Sequence, residues 1–198
     1  MNPKVEPLLW LQLLALGLIP LELLLLLLVL AGAEPGLLPA MERLICWAIG
    51  AALPAMLLWR HPADVWSLLL IRTPLRGRRD LQLRLSALQN QLGLRVAMGF
   101  GAALLLPLLW RLDQLAPIAS EYSPFTNTPR LPCLLLAAIV LALLLWQWQQ
   151  LLQAGWLLTR SSTNISGIKP MTQTELEERR LCLGLPLLMP GRLQWSKS

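Results

Sequence analysis

The sequence predicts an all-α integral membrane protein with four transmembrane helices, and three observations predict this class. Hydrophobic residues make up 56% of the chain and charged residues only 14%, which lies outside the range of ordinary soluble domains. Four leucine-rich stretches are each long enough to cross the roughly 30 Å apolar core of a bilayer. The first stretch contains an unbroken apolar run at 23–30, so no side of that helix is suited to water.

These stretches divide the chain into a membrane domain, residues 1–158, and a tail, residues 159–198. A cytoplasmic loop, residues 60–95, joins the second span to the third. A small-x-small motif at 31–33 has the form of a signal-peptidase site, but the apolar region before it is about twice as long as the 7–15 residues of a signal peptide. We therefore expect the first span to remain as an anchor. The four predicted spans are residues 8–31, 37–59, 96–112 and 131–151.

Basic residues are unevenly distributed along the chain and predict its orientation. Fourteen Lys and Arg residues lie before the first span, between the second and third spans, or after the fourth, against three in or beside the other connections. Because positively charged segments stay on the cytoplasmic side, both ends of the chain are predicted to be cytoplasmic. The net charge of +6 then reflects membrane topology, and we expect no nucleic-acid partner.

The loop between the second and third spans predicts an amphipathic helix at the membrane interface. Asp80 can cap this helix, and leucines recur along one side of it at Leu81, Leu85, Leu88 and Leu92. Such a helix would place its leucines at the acyl boundary and its arginines toward anionic headgroups. The alternative is that the basic residues dock on the acidic surface of a partner. The arginines predicted for either contact are Arg72, Arg76, Arg78, Arg79 and Arg84.

Small residues at four-residue spacing in the second and third spans predict close helix packing. Ala48 is followed by Ala52, and Ala97 is followed by Gly101. This spacing lets helix backbones approach closely. We expect these two spans to pack together or against a partner.

Glu22 is a carboxylate inside the first span, and an intramembrane carboxylate is a functional candidate. At about 1.5 Å per residue, Glu22 and Arg43 both lie about 9 Å below the outer edge of the bilayer core. The connection between their spans is short, so the two side chains are predicted to form an intramembrane ion pair. Glu42 is a competing partner for Arg43, and a protonated Glu22 is the alternative.

Residue patterns that support catalysis or metal binding are sparse. His61 is the only histidine and precedes Pro62 at a membrane edge, so we expect an interfacial loop residue. The alternative is that it ligates a chlorophyll or haem. Cys46, Cys133 and Cys182 show no metal-ligand spacing and no pairing pattern, and we expect free thiols. The sequence therefore favours a protein that is not an enzyme and holds no metal, with chlorophyll or carotenoid as the one cofactor class kept as an alternative.

The tail predicts one short helix over 173–183. Three glutamates there precede Arg179 and Arg180, an order that suits the helix dipole. Thr172 or Thr174 can cap the helix. A flexible, solvated tail is the alternative.

Several short motifs in the membrane domain form a pattern. They read EPLLWL at 6–11, PLEL at 20–23, WRHP at 59–62, WSLL at 66–69, QLAP at 114–117 and SPF at 123–125. Together they resemble the cyanobacterial low-complexity tail membrane protein family over residues 6–158, and nothing is carried over to the tail. Members of that family are largely uncharacterised small proteins of thylakoid or plasma membranes. The resemblance implies a cyanobacterial host and a link to photosynthetic complexes, but no activity.

These observations favour a non-enzymatic membrane protein that assists the assembly or stability of a photosynthetic or respiratory complex. The expected partners are membrane lipids, including anionic headgroups, and a membrane protein complex such as a photosystem. The expected location is the thylakoid or cytoplasmic membrane of a cyanobacterium. The alternative is a pigment- or lipid-binding protein with Glu22, Gln12 or His61 as polar contacts. A small transporter or membrane enzyme has the least support.

Overall fold

The computed structural model describes residues 3–69, 71–74, 77–126, 128–161, 165 and 167–186. Four helices in it are long and apolar enough to cross a membrane, which confirms the four predicted spans. The side of the membrane that each connection faces stays a prediction. In chain order the helices are α1 (Pro7–Ala31), α2 (Pro39–Arg60), α3 (Asp80–Leu88), α4 (Leu92–Tyr122), α5 (Arg130–Leu158) and α6 (Gln173–Arg179).

Proline residues explain the irregular turns in the first two spans. Pro20 has no N–H to donate to the carbonyl of Leu16, and α1 forms a 3₁₀ turn just before it at Ala15–Leu18. Pro54 likewise lacks the N–H that would reach Gly50, and α2 widens into a π turn at Ala48–Ala52. Both helices continue beyond these turns, so each still spans the bilayer.

The fourth span lies at the centre of the bundle. In its most apolar 18-residue window 44% of the residues are buried, against 17% for the corresponding window of α1. Gly50 of α2 packs so closely on α5 that a methyl group there would overlap the backbone of Ala138. The other spans therefore surround α5, and their outward leucines are left for lipid.

The small residues predicted for helix packing take two different roles. Ala48 and Ala52 bound the π turn of α2. Ala97 and Gly101 of α4 accommodate an indole of α5, because Trp148 Nε1 donates to the carbonyl of Ala97 at 3.1 Å and a methyl group on Gly101 would overlap the ring. The second and third spans are in contact, as expected, but a tryptophan and not the small residues makes the hydrogen bond between them. Trp47 Nε1 donates to the carbonyl of Ala102 at 2.8 Å.

The start of α1, the loop after α2 and the tail pack together at one end of the bundle. A small sheet joins the loop to the tail: β1 (Ser67–Leu68) pairs antiparallel with β2 (Ile71–Arg72), and β2 pairs parallel with β3 (Leu185–Pro186). A second apolar core lies beneath it, formed by Leu9, Val65, Trp66, Leu85, Ala154, Leu157 and Ile165. We call this unit the cap; it comprises the described residues of 3–12, 61–91 and 167–186.

The predicted loop helix is present, but its environment differs from the expectation. Arg79, and not Asp80, is the N-cap residue, and its backbone N–H donates to Gln82 Oε1 at 3.2 Å. Asp80 instead pairs with Arg84 at 2.7 Å. Leu85 is fully buried in the apolar core of the cap, so the prediction that it lies at the acyl boundary is wrong. The position of α3 in the plane of the membrane stays a prediction.

The tail helix is shorter than predicted, and the chain after it packs against the loop that follows α2. Thr172 caps α6 as expected, because its hydroxyl accepts from the Glu175 N–H at 3.3 Å and the Glu175 carboxylate accepts from the Thr172 N–H at 2.9 Å. The helix ends where Arg180 adopts an extended backbone. Leu181 then exchanges backbone hydrogen bonds with Pro62 and Asp64, each at 3.1 Å.

Candidate functional site

A charged cluster ties three spans together at the end of the bundle opposite the cap. Arg43 of α2 donates to Asp113 of α4 at 2.6 Å. Arg130, the first residue of α5, contacts Asp113 at 3.0 Å and Glu42 at 3.0 Å. The guanidinium of Arg43 also lies 4.8 Å from the centre of the Trp110 ring. Two arginines and two carboxylates thus compensate one another at this end.

The predicted ion pair between Glu22 and Arg43 is not formed, and we correct it. Arg43 takes Asp113 as its partner, because α4 remains helical through this residue and holds it at the end of α2. Glu42, expected to compete for Arg43, pairs with Arg130 instead. Among the described residues, the buried Oε2 of Glu22 has no hydrogen-bond partner.

The cap is built around a second ion pair, between Asp64 and Arg78, and both side chains are fully buried. Ser86 Oγ donates to the Asp64 carboxylate at 3.4 Å and accepts from Trp66 Nε1 at 3.0 Å. Gln150 of α5 donates to the carbonyl of Asp64 at 3.1 Å. Buried ion pairs are stable only when their remaining polar atoms find partners. Ser86 supplies one for Asp64, whereas the buried Nε and Nη1 of Arg78 have no hydrogen-bond partner among the described residues.

The first and fourth spans both anchor the cap through glutamines. Gln12 of α1 donates to the carbonyl of Val65 at 3.0 Å, so it supports the loop. Gln150 of α5 also reaches the carbonyl of Ser67 at 3.1 Å. The loop is thereby held against the membrane-spanning helices.

The arginines predicted for docking are mostly engaged within the protein. Arg78 is buried, so its prediction as a docking residue is wrong. Arg84 donates to the carbonyl of Ile168 at 2.6 Å, and Arg72 to that of Cys182 at 3.4 Å. Arg79 lies 3.7 Å from the Glu6 carboxylate, but 76% of its side chain is exposed. Arg76 lies outside the described residues.

An arginine-lined cleft of about 300 Å³ opens between the cap and the ends of α2 and α4. Its arginines come from four places: the last residue of α2, the first turns of α4, the end of α6 and the residue after α6. Two glutamates of α6 also line it. The lining residues are Arg60, His61, Pro62, Ala87, Asn90, Arg95, Met171, Glu175, Glu178, Arg179 and Arg180.

Arg180 is the most buried of the charged residues in this arginine-lined cleft, at 5% exposure. One of its Nη atoms donates to the carbonyl of Ser86 at 2.7 Å, and the other has no hydrogen-bond partner among the described residues. Burial lowers the pKa of Arg180 to about 10; Asp64 acts in the opposite direction, and repulsion by Arg95 lowers the pKa further. The guanidinium therefore stays charged at neutral pH in a positively charged environment.

His61 lines the same cleft and is exposed, so it lies among charged residues at the end of α2. Its ligation of a chlorophyll or haem stays a prediction. Cys46, Cys133 and Cys182 are free thiols in the structure, as expected. Burial, followed by the negative charge of Asp64, raises the pKa of Cys182. Among the described residues, no three His, Cys, Asp or Glu side chains are grouped so that they could hold a metal ion.

Sequence reasoning did not find the residues that organise these sites. Asp113 follows the predicted third span at 96–112, and Asp64 and Gln150 belong to no motif that predicts a site. A signal was available for Gln150, because the fourth helix continues beyond its apolar stretch with four glutamines that are mostly buried: Gln147, Gln149, Gln150 and Gln153. Buried amides need partners, so they predict a polar structure packed against this end of the helix.

Comparisons with known proteins agree with the membrane character of the chain. The model of the low-complexity tail membrane protein-like family matches residues 5–191 and thus includes most of the tail, which the sequence motifs had left out. No curated protein and no solved structure matches the chain at a significant level. The matched range includes all four apolar helices and all six sequence motifs. This protein belongs to the low-complexity tail membrane protein-like family.

Proposed function

We propose that this protein is a non-enzymatic membrane protein that assists the assembly or stability of a photosynthetic or respiratory complex in a cyanobacterial thylakoid or cytoplasmic membrane. The observation that carries the proposal is the cap, whose loop is built around the buried pair of Asp64 and Arg78 and is held to the spans by Gln12 and Gln150. A buried ion pair contributes little net stability compared with apolar packing. Its value here is that it defines one arrangement of the loop and the tail.

The cap presents a surface suited to a protein partner. Arg79 is 76% exposed, and the tail strand places Leu185 beside the loop with 77% of its surface exposed. Arg and large apolar residues are both enriched in protein interfaces, and the cap exposes a residue of each kind. In this proposal Arg79 keeps the docking role that the sequence predicts. Arg78 is buried, so the exposed tail strand takes its place in the contact with the partner.

The proposal that the protein is not an enzyme is supported by how its polar groups are used. Two described hydroxyls of the cap lie beside carboxylates: Ser86 is fully buried and donates to Asp64, and Thr172 donates to Glu175 as part of the capping of α6. A nucleophile needs a base and access for a substrate. At the opposite end, the two arginines pair with the two carboxylates, which is the arrangement of a structural cluster.

Affinity purification from the native membrane tests this function. We expect the tagged protein to retain the subunits of one membrane complex after mild solubilisation and crosslinking. Asp64→Asn should abolish this retention while the variant still inserts into the membrane. The matched control is Arg111→Gln, which removes an exposed charge at the opposite end of the bundle and should retain the complex. Purification of the wild-type protein alone, under conditions that preserve neighbouring complexes, would refute the proposal.

A pigment- or lipid-binding function is the second candidate, favoured by an apolar cavity of about 160 Å³ between α1, α4 and α5. Leu23, Gly101 and Trp148 are among the residues that line it. Its dimensions suit an acyl chain or part of a polyene. An absorption spectrum of the purified protein separates the candidates, because a stoichiometric pigment would favour the second.

A further inference from the structure

We propose that the arginine-lined cleft is a binding site for a phosphate group, and that its source is the headgroup of an anionic lipid. Neither Arg79 nor Leu185, the two residues offered for the proposed function, lines the cleft. The two proposals can therefore fail separately.

The charges of the cleft are the first argument. Arg60, Arg95 and Arg180 line it, and none of the three forms an ion pair with another described residue. Arg180 has an unpaired Nη although its side chain is 95% buried, and Arg95 has a buried Nε without a partner. Buried donors without partners are costly. A phosphate oxygen between these guanidinium groups would satisfy them, because Arg binds phosphate with charge-assisted hydrogen bonds.

The glutamates of the cleft neutralise only part of this charge. The Glu175 carboxylate accepts from both the N–H and the hydroxyl of Thr172, which commits its hydrogen bonds to the start of α6. These hydrogen bonds lower the pKa of Glu175 below its ordinary value, so it stays ionised. Glu175 and Glu178 are thus two negative charges against four arginines. The cleft therefore retains an excess of positive charge.

The position of the cleft favours a lipid over a soluble phosphate. Arg60 is the last residue of α2, and Arg95 lies at the beginning of α4, so both are at the depth where the spans leave the apolar core. Arginines at the ends of spans reach toward the headgroups. A volume of about 300 Å³ is at the lower end for small-ligand pockets, which suits a headgroup whose acyl chains remain outside.

The test uses the purified full-length protein in detergent, with lipid added in mixed micelles. Phosphatidylglycerol, phosphatidylcholine and inorganic phosphate are the three probes, and binding is followed by native mass spectrometry and by the shift in thermal unfolding. We expect phosphatidylglycerol to bind in a one-to-one ratio and to raise the melting temperature more than phosphatidylcholine. An equal effect of inorganic phosphate would keep the phosphate site but overturn the lipid as its source.

Variants connect this binding to the arginine-lined cleft. The double variant Arg60→Gln with Arg95→Gln should weaken phosphatidylglycerol binding by at least about tenfold, because each lost charge-assisted contact has roughly that effect. Arg95 donates to Asn90 Oδ1 on the surface, whereas Arg180 donates to the buried carbonyl of Ser86. The lipid-free double variant should therefore unfold close to the wild-type temperature. Arg111→Gln, the matched control at the other end of α4, should bind as the wild-type protein does. Unchanged binding by the double variant, or an equal loss in the control, would overturn the proposal.

Discussion

Arg43 and Asp113 join the second and third spans through a 2.6 Å contact, although 69 residues separate them in the chain. Asp113 also accepts from Arg130 at 3.0 Å, so one carboxylate serves two arginines on two other helices. The side chain of Asp113 is only 6% exposed. This carboxylate is therefore the central residue of the cluster.

Asp113→Asn should destabilise the bundle by about 3–5 kcal/mol, because it leaves two partly buried arginines without their shared carboxylate. Unfolding in a denaturing detergent, followed by tryptophan fluorescence, measures this change. Glu42→Gln should cost less, since Glu42 contacts only Arg130 among the arginines.

Glu22→Gln is the matched control for this experiment and should be close to neutral. Glu22 has no ion-pair partner among the described residues, so its charge contributes no pairing energy. A loss as large as that of Asp113→Asn would contradict our assignment of the partners of Arg43.

Gly50→Ala should destabilise the protein by about 1–3 kcal/mol, the usual cost of overpacking. The added methyl group would overlap the backbone of Ala138, which cannot move aside as a flexible side chain can. Gly155→Ala is the control, because no atom lies within 4 Å of the position of its methyl group. That change should be neutral or slightly stabilising, as Ala favours helices over Gly. Equal thermal stability of the two variants would argue against the close contact between α2 and α5.

Asp64→Asn should release the tail, residues 167–186, from the rest of the cap. The substitution leaves Arg78 as an unpaired buried charge, which is strongly unfavourable. Limited proteolysis of protein in vesicles should then cut within 167–186, where the wild-type chain is protected by its hydrogen bonds to Pro62 and Asp64. Protection equal to that of the wild type would show that the pair does not hold the cap together.

The stability of α6 should fall in acid. The N–H and hydroxyl of Thr172 lower the pKa of Glu175 below its ordinary value of 4.5. A carboxylate whose pKa is lowered by folding stabilises the folded state above its unfolded pKa, and this contribution is lost as the pH falls through the folded value. The protection of the α6 amides, measured as their exchange rate relative to the unfolded chain at the same pH, should therefore fall below about pH 4.5, and Glu175→Gln should remove this acid-dependent step. An equal loss of protection in that variant would assign the effect to another group.

The orientation of the bundle can be tested with reporter fusions. Fusions after Arg79 and after Arg180 should both report the cytoplasm, since basic segments stay on that side. A fusion within 120–127, between the third and fourth spans, should report the opposite compartment. Reversed signals at all three positions would overturn the predicted orientation and leave the helices unchanged.

The sequence by itself determined the four spans and the short helix of the tail. Hydropathy depends on residues that are neighbours in the chain, and a run such as 23–30 leaves no surface for water whatever its neighbours are. The capping of α6 is equally local, because Thr172 and Glu175 are three residues apart.

Only the tertiary structure decided which charges meet. Glu22 and Arg43 are at matching depths, but depth does not state which way a side chain points around its helix, and Asp113 faces Arg43. Arg78 resembled other basic loop residues until the fold placed it against Asp64 in the interior. Long-range pairing depends on helix rotation and on how the loop and tail fold back, and neither is recorded in the spacing of residues along the chain.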